Sequence, residues 1–370
     1  MRREVLPSLS LHEINIVVTG GGTAGHLFPA IALAEELTKR GYSLHLITDI
    51  RCAKYLTDDL KLIPHVLNFR LPAGGIYNKI KFLISLLIAT YQSLSILVRS
   101  KPSAIIGFGG YPTFPPLLVS ILLRIPIIIY EQNCFIGKTN RFFLKFARKI
   151  ALTYEETKNG DLLPGSKKLV IGNILRTSIK QQKINHDFNH DVFRIFIFGG
   201  SQSAKIFSQL IPETMKILVK LNPTLKIAIT QQAVNEEHDN IAKVYNKLKI
   251  PYKLAEFFYD MEKQYANHEL VISRAGASTI AELSYVGMPA IFIPLPTAAE
   301  NHQYYNAKAM ENRGAGWCYE QNKISPAKLA EKILALAEDR DILRRASFVL
   351  LGSKSDGSKV LASEIEEIIG

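Results

Sequence analysis

The chain has little of what marks a secreted or metal-stapled protein. Its three cysteines, Cys52, Cys134 and Cys318, are odd in number, far apart and in no CxxC pair, which argues against both a disulfide framework and a zinc site. The opening residues, MRREVLPSLSLHE, are basic but lack a continuous apolar stretch. They read as a short tail and not as a signal peptide, so a cytoplasmic location is expected. The one D-x-D, Asp339 to Asp341, lies between C-terminal helical segments and reads as a cap. No aromatic-basic stacking motif accompanies the dispersed basic residues, which argues against nucleic acid as a partner.

A bilayer-spanning segment is not expected either. The uncharged run FLISLLIATYQSLSILV (82–98) is slightly shorter than the ~20 apolar residues a span needs, and it contains Ser85, Thr90, Gln92, Ser93 and Ser95. Leu83, Leu87, Tyr91, Leu94 and Val98 recur at three- and four-residue steps, predicting a helix buried along that face.

What is present is size and positive charge. At 370 residues the chain exceeds the ~250–300 at which one core stops growing, so two domains are expected. A formal charge of +12 favours anionic partners: nucleic acid, a phosphorylated substrate or an acidic membrane surface.

Short apolar runs alternate with helix-period segments throughout. INIVVTG, YSLHLITD, SAIIGFGG, IPIIIYEQN and KIALTY lie in the first half, and FRIFIFGG, LKIAIT, YKLAEFF, ELVISRAG and PAIFIPL in the second. This is the pattern of a doubly wound α/β sheet, written twice. VVTGGGTAGH and FIFGGSQSAK open the two series in the same strand-glycine-helix manner. The polar stretch between them places the junction near 173–192, giving domains over 1–175 and 176–350, with residues 351–370 as a tail. A helix over 357–369 follows GSKSDGS and packs on either domain. His186 and His190 have an HxxxH spacing, but their Asn-rich surroundings read as loop.

Gly20, Gly22 and Gly25 satisfy G-x-G-x-x-G after a strand, with Asp49 ending the next strand where a ribose-binding acid stands in a dinucleotide fold. A nicotinamide-dependent oxidoreductase is one reading; Asp49 as a helix cap is the other. GFGGYPTFP (107–115) is a second glycine turn, and SRAGASTIAEL (273–283) a third. Together they offer enough backbone N–H groups for a diphosphate, more than one nicotinamide cofactor needs. Thr279 and Glu282 also form a T-x-x-E pattern that reads as a capping box.

Taken in order, GGGTAGHLFPA, GFGGYPTFPP, YEQNCFIGKTNR, GNILRT, FGGSQSAK, EFFYDM, SRAGASTIAEL and HQYYNA resemble the MurG family of peptidoglycan glycosyltransferases, from about residue 14 to the end. The resemblance implies an α/β GT-B fold, two Rossmann-like doubly wound domains facing a central cleft. It implies transfer of GlcNAc from UDP-GlcNAc to the 4-hydroxyl of the muramoyl sugar of lipid I (undecaprenyl-diphospho-MurNAc-pentapeptide), with inversion and without a cofactor or metal. The first domain is then acceptor- and membrane-facing, the second binds UDP-GlcNAc, and the enzyme sits at the cytoplasmic face of the bacterial inner membrane as a peripheral protein.

Carried over by position, the main chain at Phe258 contacts uracil and Glu282 the ribose, whose vicinal hydroxyls a carboxylate accepts well. Ser201 and Arg176 handle the donor diphosphate. Thr23, Ala24 and Gly25, with Asn133 and Gln303, surround the GlcNAc. The segment Ala277, Ser278, Thr279, Ile280, Ala281 and Glu282 lines the nucleotide-sugar. His26, at the mouth of a helix, is the candidate catalytic base, or a residue that hydrogen-bonds a loop or the acceptor diphosphate. Ala24, Tyr130 and His302 stand where the family has Gly, His and Gln. IYNKIKFLI (76–84) and RFFLKFARK (141–149) interleave basic and apolar residues, a composition suited to an anionic membrane surface or to buried helices with snorkelling lysines. A UDP-GlcNAc epimerase sharing this fold remains the isomerase alternative.

Overall fold

The structure, a computed structural model, describes residues 14–370 apart from 58–59, 70–75, 161–162, 182–183, 185, 200–203 and 353–354, with backbone only at 76–79 and 204. Two compact units make up the chain, Met1–Thr177 with Ser355–Gly370, and Ser178–Lys354.

The first unit runs β1 (Asn15–Thr19), α1 (Ala24–Lys39), β2 (Ser43–Asp49), β3 (Ile63–Leu67), α2 (Ile76–Ser100), β4 (Ala104–Gly107), α3 (Phe114–Leu122), β5 (Ile127–Glu131), α4 (Lys138–Phe143), β6 (Lys149–Leu152) and β7 (Lys168–Val170), before the short α5 (Thr177–Lys180). Its strands form one parallel sheet in the order β3-β2-β1-β4-β5-β6-β7. Parallel strands need helical crossovers, and helices on both faces leave no side for water. Ile16, Val18, Leu44 and Leu46 accordingly pack with α1, while Val17, Ile47, Ile105 and Ile129 pack on the opposite face.

The second unit runs β8 (Phe193–Phe198), α6 (Ala204–Leu221), β9 (Ile227–Gln232), α7 (Asn235–Lys247), β10 (Tyr252–Ala255), α8 (Met261–Ala266), β11 (Leu270–Ser273), α9 (Ala277–Val286), β12 (Ala290–Phe292), α10 (His302–Asn312), β13 (Gly316–Cys318), α11 (Pro326–Glu338) and α12 (Arg340–Gly352). Its parallel sheet has the order β10-β9-β8-β11-β12-β13. Asp339 ends α11, and its carboxylate accepts the Asp341 N–H at 3.1 Å, so the D-x-D opens α12 as a cap. The last helix, α13 (Gly357–Ile369), belongs to the first unit. There Leu361, Ala362 and Ile365 are fully buried, and Arg40, the C-cap residue of α1, pairs with Glu366 at 2.7 Å.

One expectation fails outright. The stripe Leu83, Leu87, Tyr91, Leu94 and Val98 is exposed, Tyr91 to 73%, and the buried side of α2 is Ala89, Ser93 and Leu97. The 3.6-residue period groups side chains on one face but does not say what covers it. Here the small residues Ala89 and Ser93 let the helix lie close on its own unit, leaving the large ones outside. Over Ile80–Ser100 this helix is long and apolar enough to cross a bilayer by length and composition, with a mean hydropathy of 1.7.

Candidate active site

In each sheet the first strand is flanked by the second and the fourth, so the crossovers leave it in opposite directions. At such a switch point the loops diverge and open a crevice beyond the carboxyl ends. In the first unit this is where the glycine turns after β1 and β4 meet. Gly110 has φ +82°, and a Cβ there would run into the Gly21 carbonyl oxygen. The two loops therefore touch backbone to backbone, which only glycine permits.

A buried carboxylate fixes that contact. Asp49 Oδ1 accepts the Gly22 N–H at 2.9 Å, while Oδ2 accepts the Tyr111 hydroxyl and, at 3.1 Å, Arg51 Nε. Burial opposes its charge, but these donors outweigh it and hold the carboxyl below its ordinary range. Asp49 therefore closes the glycine loop: it neither caps a helix nor offers a free acid to a ribose, and the dinucleotide reading loses its key residue. The Arg51 guanidinium lies 4.8 Å from the Tyr111 ring centroid, completing the latch.

Thr23, Ala24, Gly25 and His26 form the mouth of α1. Thr23 is its N-cap residue without a side-chain cap bond, because its hydroxyl instead meets His26 Nδ1 at 2.9 Å. The His26 ring also reaches the other glycine turn, where its Cδ2 lies 3.3 Å from the place a Cβ on Gly109 would take. Asn140 flanks the same point. Its amide donates to Glu131 Oε2 at 2.9 Å and to the Tyr130 carbonyl at 3.1 Å. Glu131 is buried and also accepts Asn133 N, Asn133 Nδ2 and Gly137 N within 3.1 Å. Burial raises its pKa despite these bonds. Asn133 is thus held by main chain and side chain, through the same carboxylate that binds Asn140 of α4. The Arg176 guanidinium lies 4.7 Å from the ring centroid of Phe28 on α1.

In the second unit the predicted residues gather at the carboxyl ends of β10 to β12. Helix α9 starts at Ala277 with an extended Gly276 as N-cap. That corrects the capping-box reading: Thr279 is the third helical residue and Glu282 lies a turn further, too late to cap. Glu282 is 7% exposed and accepts the Tyr265 hydroxyl at 3.0 Å. Ala277, Ser278 and Thr279 supply the first-turn N–H groups, which an α-helix cannot pair internally. The Ile280 side chain is wholly buried, and Ala281 nearly so.

Phe258 is buried, edge-on to Phe196 with ring centroids 5.3 Å apart, and Phe196 in turn contacts Tyr265. A continuous aromatic core therefore links the Phe258 turn to the Glu282 carboxylate. Gln303 accepts the Leu295 N–H at 3.0 Å. Arg274 donates to the carbonyls of Ile293 and Pro294, and to Gln321 at 2.6 Å. Burial lowers its pKa to about 10, which leaves it charged at neutral pH. Ser201 lies outside the described residues.

Other positions have structural roles. His302 Nδ1 donates to the Ala299 carbonyl at 2.7 Å, the Tyr130 hydroxyl meets Thr153 at 2.7 Å, and His186 Nε2 is committed to the Val286 carbonyl at 2.8 Å. The sequence reading missed Tyr111, Arg51, Glu131, Asn140, Tyr265 and Arg274. Most of them lie inside the motifs quoted above, but Tyr111, Tyr265 and Arg274 take partners distant in the chain, so spacing carried no signal.

Two doubly wound halves that share the order of six strands, each with a helix mouth at its switch point, make up the GT-B fold. The chain belongs to glycosyltransferase family 28, and within it to the MurG branch. The model of the family's N-terminal domain matches residues 16–152 and that of its C-terminal domain residues 194–359. The UDP-N-acetylglucosamine–N-acetylmuramyl-(pentapeptide) pyrophosphoryl-undecaprenol N-acetylglucosamine transferase of Rickettsia canadensis is 50% identical over 355 residues, 96% of this chain and 99% of that protein. The crystal structure of Acinetobacter baumannii MurG superposes with a TM-score of 0.77 at 25% identity, covering 96% and 99% of the two chains. UDP-GlcNAc 2-epimerase from Neisseria meningitidis, bound to UDP-GlcNAc, shares the fold with a TM-score of 0.68 at 15% identity, covering 96% and 100%.

Proposed function

We propose that this chain transfers GlcNAc from UDP-GlcNAc to the 4-hydroxyl of the muramoyl sugar of lipid I, forming the β-linked disaccharide of lipid II in peptidoglycan synthesis. The observation that carries the reading is 50% identity across 96% of the chain to an enzyme named for this transfer; the epimerase likeness stands at 15% and speaks for the fold alone.

In this reading the second unit holds the nucleoside of the donor. The main chain at Phe258 meets uracil, Glu282 the ribose hydroxyls, the first turn of α9 the nucleotide-sugar, and Ser201 and Arg176 the diphosphate. Thr23, Ala24, Gly25, Asn133 and Gln303 contact the GlcNAc. Positive helix ends and Arg176 stabilise the departing UDP, so no metal enters.

His26 takes the proton of the attacking hydroxyl. For that, its Nδ1–H must donate to Thr23 Oγ1, which leaves a lone pair on Nε2; the opposite tautomer has no base to offer. Thr23 is thereby a positioning residue. The acceptor is anchored in a membrane, and α2 supplies the matching surface: Ile80, Leu83, Leu87 and Tyr91 are each more than half exposed. Ala89 and Leu97 remain in the core, so the helix lies on the anionic inner leaflet as a peripheral contact and does not leave its unit to span it. The test is incubation of the purified protein with labelled UDP-GlcNAc and lipid I or a short-chain analogue. Labelled disaccharide product is expected; epimerised sugar nucleotide without transfer would overturn the reading.

A further inference from the structure

A cavity of about 290 Å³ lies on the first unit, lined by Asn15, His45, His65, Ser95, Ile96, Arg99 and Ser100. It is at the opposite end of β1 from the glycine loops, because Asn15 begins the strand they follow. His45 on β2 and His65 on β3 stack with ring centroids 5.3 Å apart, and His45 Nδ1 meets His65 Nε2 at 3.0 Å. The final turns of α2 bring Ser95, Arg99 and Ser100 over them. Asn15 Nδ2 ties the strand to that helix end by donating to the Ser100 carbonyl at 2.8 Å. Every polar side chain in the lining can donate a hydrogen bond, and the lining contains no carboxylate.

The histidine pair has a chemical property that follows from its geometry. When both rings are neutral, one donates the shared proton and the other accepts it. Of the two outer ring nitrogens, one then carries a proton and the other is bare. One proton taken from solvent by the bare nitrogen makes both outer nitrogens donors and leaves the inner bond intact. Burial lowers the pKa of both rings, His65 also through the charge of His45, so the empty cavity keeps the pair neutral. An anion beside Arg99 would reverse that balance.

The geometry points to an oxyanion site: a phosphate-type group held by Arg99, Ser95 and the outer nitrogens of His45 and His65, with one proton taken up on binding. Arg99 and Ser95 share their turns of α2 with Leu94 and Val98 of the exposed apolar stripe. The phosphate can therefore belong to a lipid headgroup or to a soluble compound; the chemistry is common to both.

Sulfate is the probe, because its own charge is constant between pH 5.5 and 7.5, with UDP present to fill the donor site. In proton NMR the His45 and His65 ring resonances should move saturably with sulfate, and the affinity should rise by up to about tenfold per pH unit lowered. Arg99→Gln, an exposed position, should weaken sulfate about tenfold, and His45→Gln with His65→Gln should remove the pH dependence. Resonances that stay fixed, or shifts that chloride reproduces at equal ionic strength and Arg99→Gln leaves unchanged, overturn the site. Phosphatidylcholine vesicles carrying phosphatidic acid or phosphatidylglycerol at matched charge distinguish the sources. Tighter binding to phosphatidic acid that Arg99→Gln abolishes assigns a headgroup; indifference between them, with the sulfate response intact, assigns a soluble phosphate.

Discussion

The two units repeat one strand order and part company in the crossover after the third strand. In the first unit that crossover is α2, 25 residues with its large apolar side chains outward. In the second it is α8, six residues whose Tyr265 turns inward to Glu282. The same topological slot thus builds a surface in one half and a buried support in the other. Strand order places the switch-point crevice, whereas the length and polarity of one helix decide what a half can meet.

The sharpest way to test this division is His26→Ala in the first unit. Turnover should fall by about 10²–10⁴-fold with UDP affinity nearly unchanged, measured by steady-state kinetics and calorimetric titration. Thr23→Ala should lower turnover less, since the base itself remains, and a raised donor KM would report the lost GlcNAc contact. A raised acceptor KM with intact kcat would move His26 from base to diphosphate ligand.

Acid should test the core of the second unit next. His268 in the second unit is 8% exposed, its Nδ1 donating to the Gln264 carbonyl and its Nε2 meeting Thr230. Burial lowers its pKa to about 4. The folded pKa lies below the unfolded value near 6.5, so the stability it confers is full above that value and is lost as pH falls towards 4. The loss amounts to about 3 kcal/mol. In the first unit Asp49 gives way only below the ordinary carboxylate range, while His45 and His65, whose pKa burial also lowers, add a loss of the same sign as His268. Denaturant titrations from pH 7 to 4 should show the loss, and His268→Gln should flatten it.

Glu282→Ala should weaken UDP about 10–100-fold, as loss of a charged hydrogen-bond acceptor does, while turnover at saturating donor changes less. Unchanged affinity by calorimetry would make Glu282 a support for Tyr265 alone. The smallest effect is expected from Leu87→Gln with Tyr91→Gln: about tenfold weaker sedimentation with anionic vesicles and unaltered activity on a soluble acceptor. Vesicle binding that survives in the folded double variant would erase the contrast between α2 and α8.

Much of this was legible beforehand where one chemical pressure acts locally. Runs such as IIIYE are buried on every residue, so a parallel sheet was readable, and the glycines after β1 and β4 marked its crevice. What could not be read depended on distant partners. Asp49 looks like a ribose acid until Tyr111, 62 positions away, is seen to donate to it. Thr279 and Glu282 spell a cap that the extended backbone at Gly276 makes unnecessary. The outward face of α2 was hidden for the converse reason: its period was correct, and only the packing of Ala89 and Ser93 reveals which side is out.

Helix α13 gives the chain a temporal asymmetry. The half that is synthesised first completes its core last, because Leu361, Ala362 and Ile365 leave the ribosome only after all of Ser178–Lys354 has emerged. Until then α1 has an uncovered apolar flank, and Arg40 lacks its Glu366 partner. The second unit can fold cooperatively on its own stretch of chain, whereas its predecessor must wait, partly built, for α13 to emerge. Deleting α13 would therefore damage the unit that precedes the other in order of synthesis.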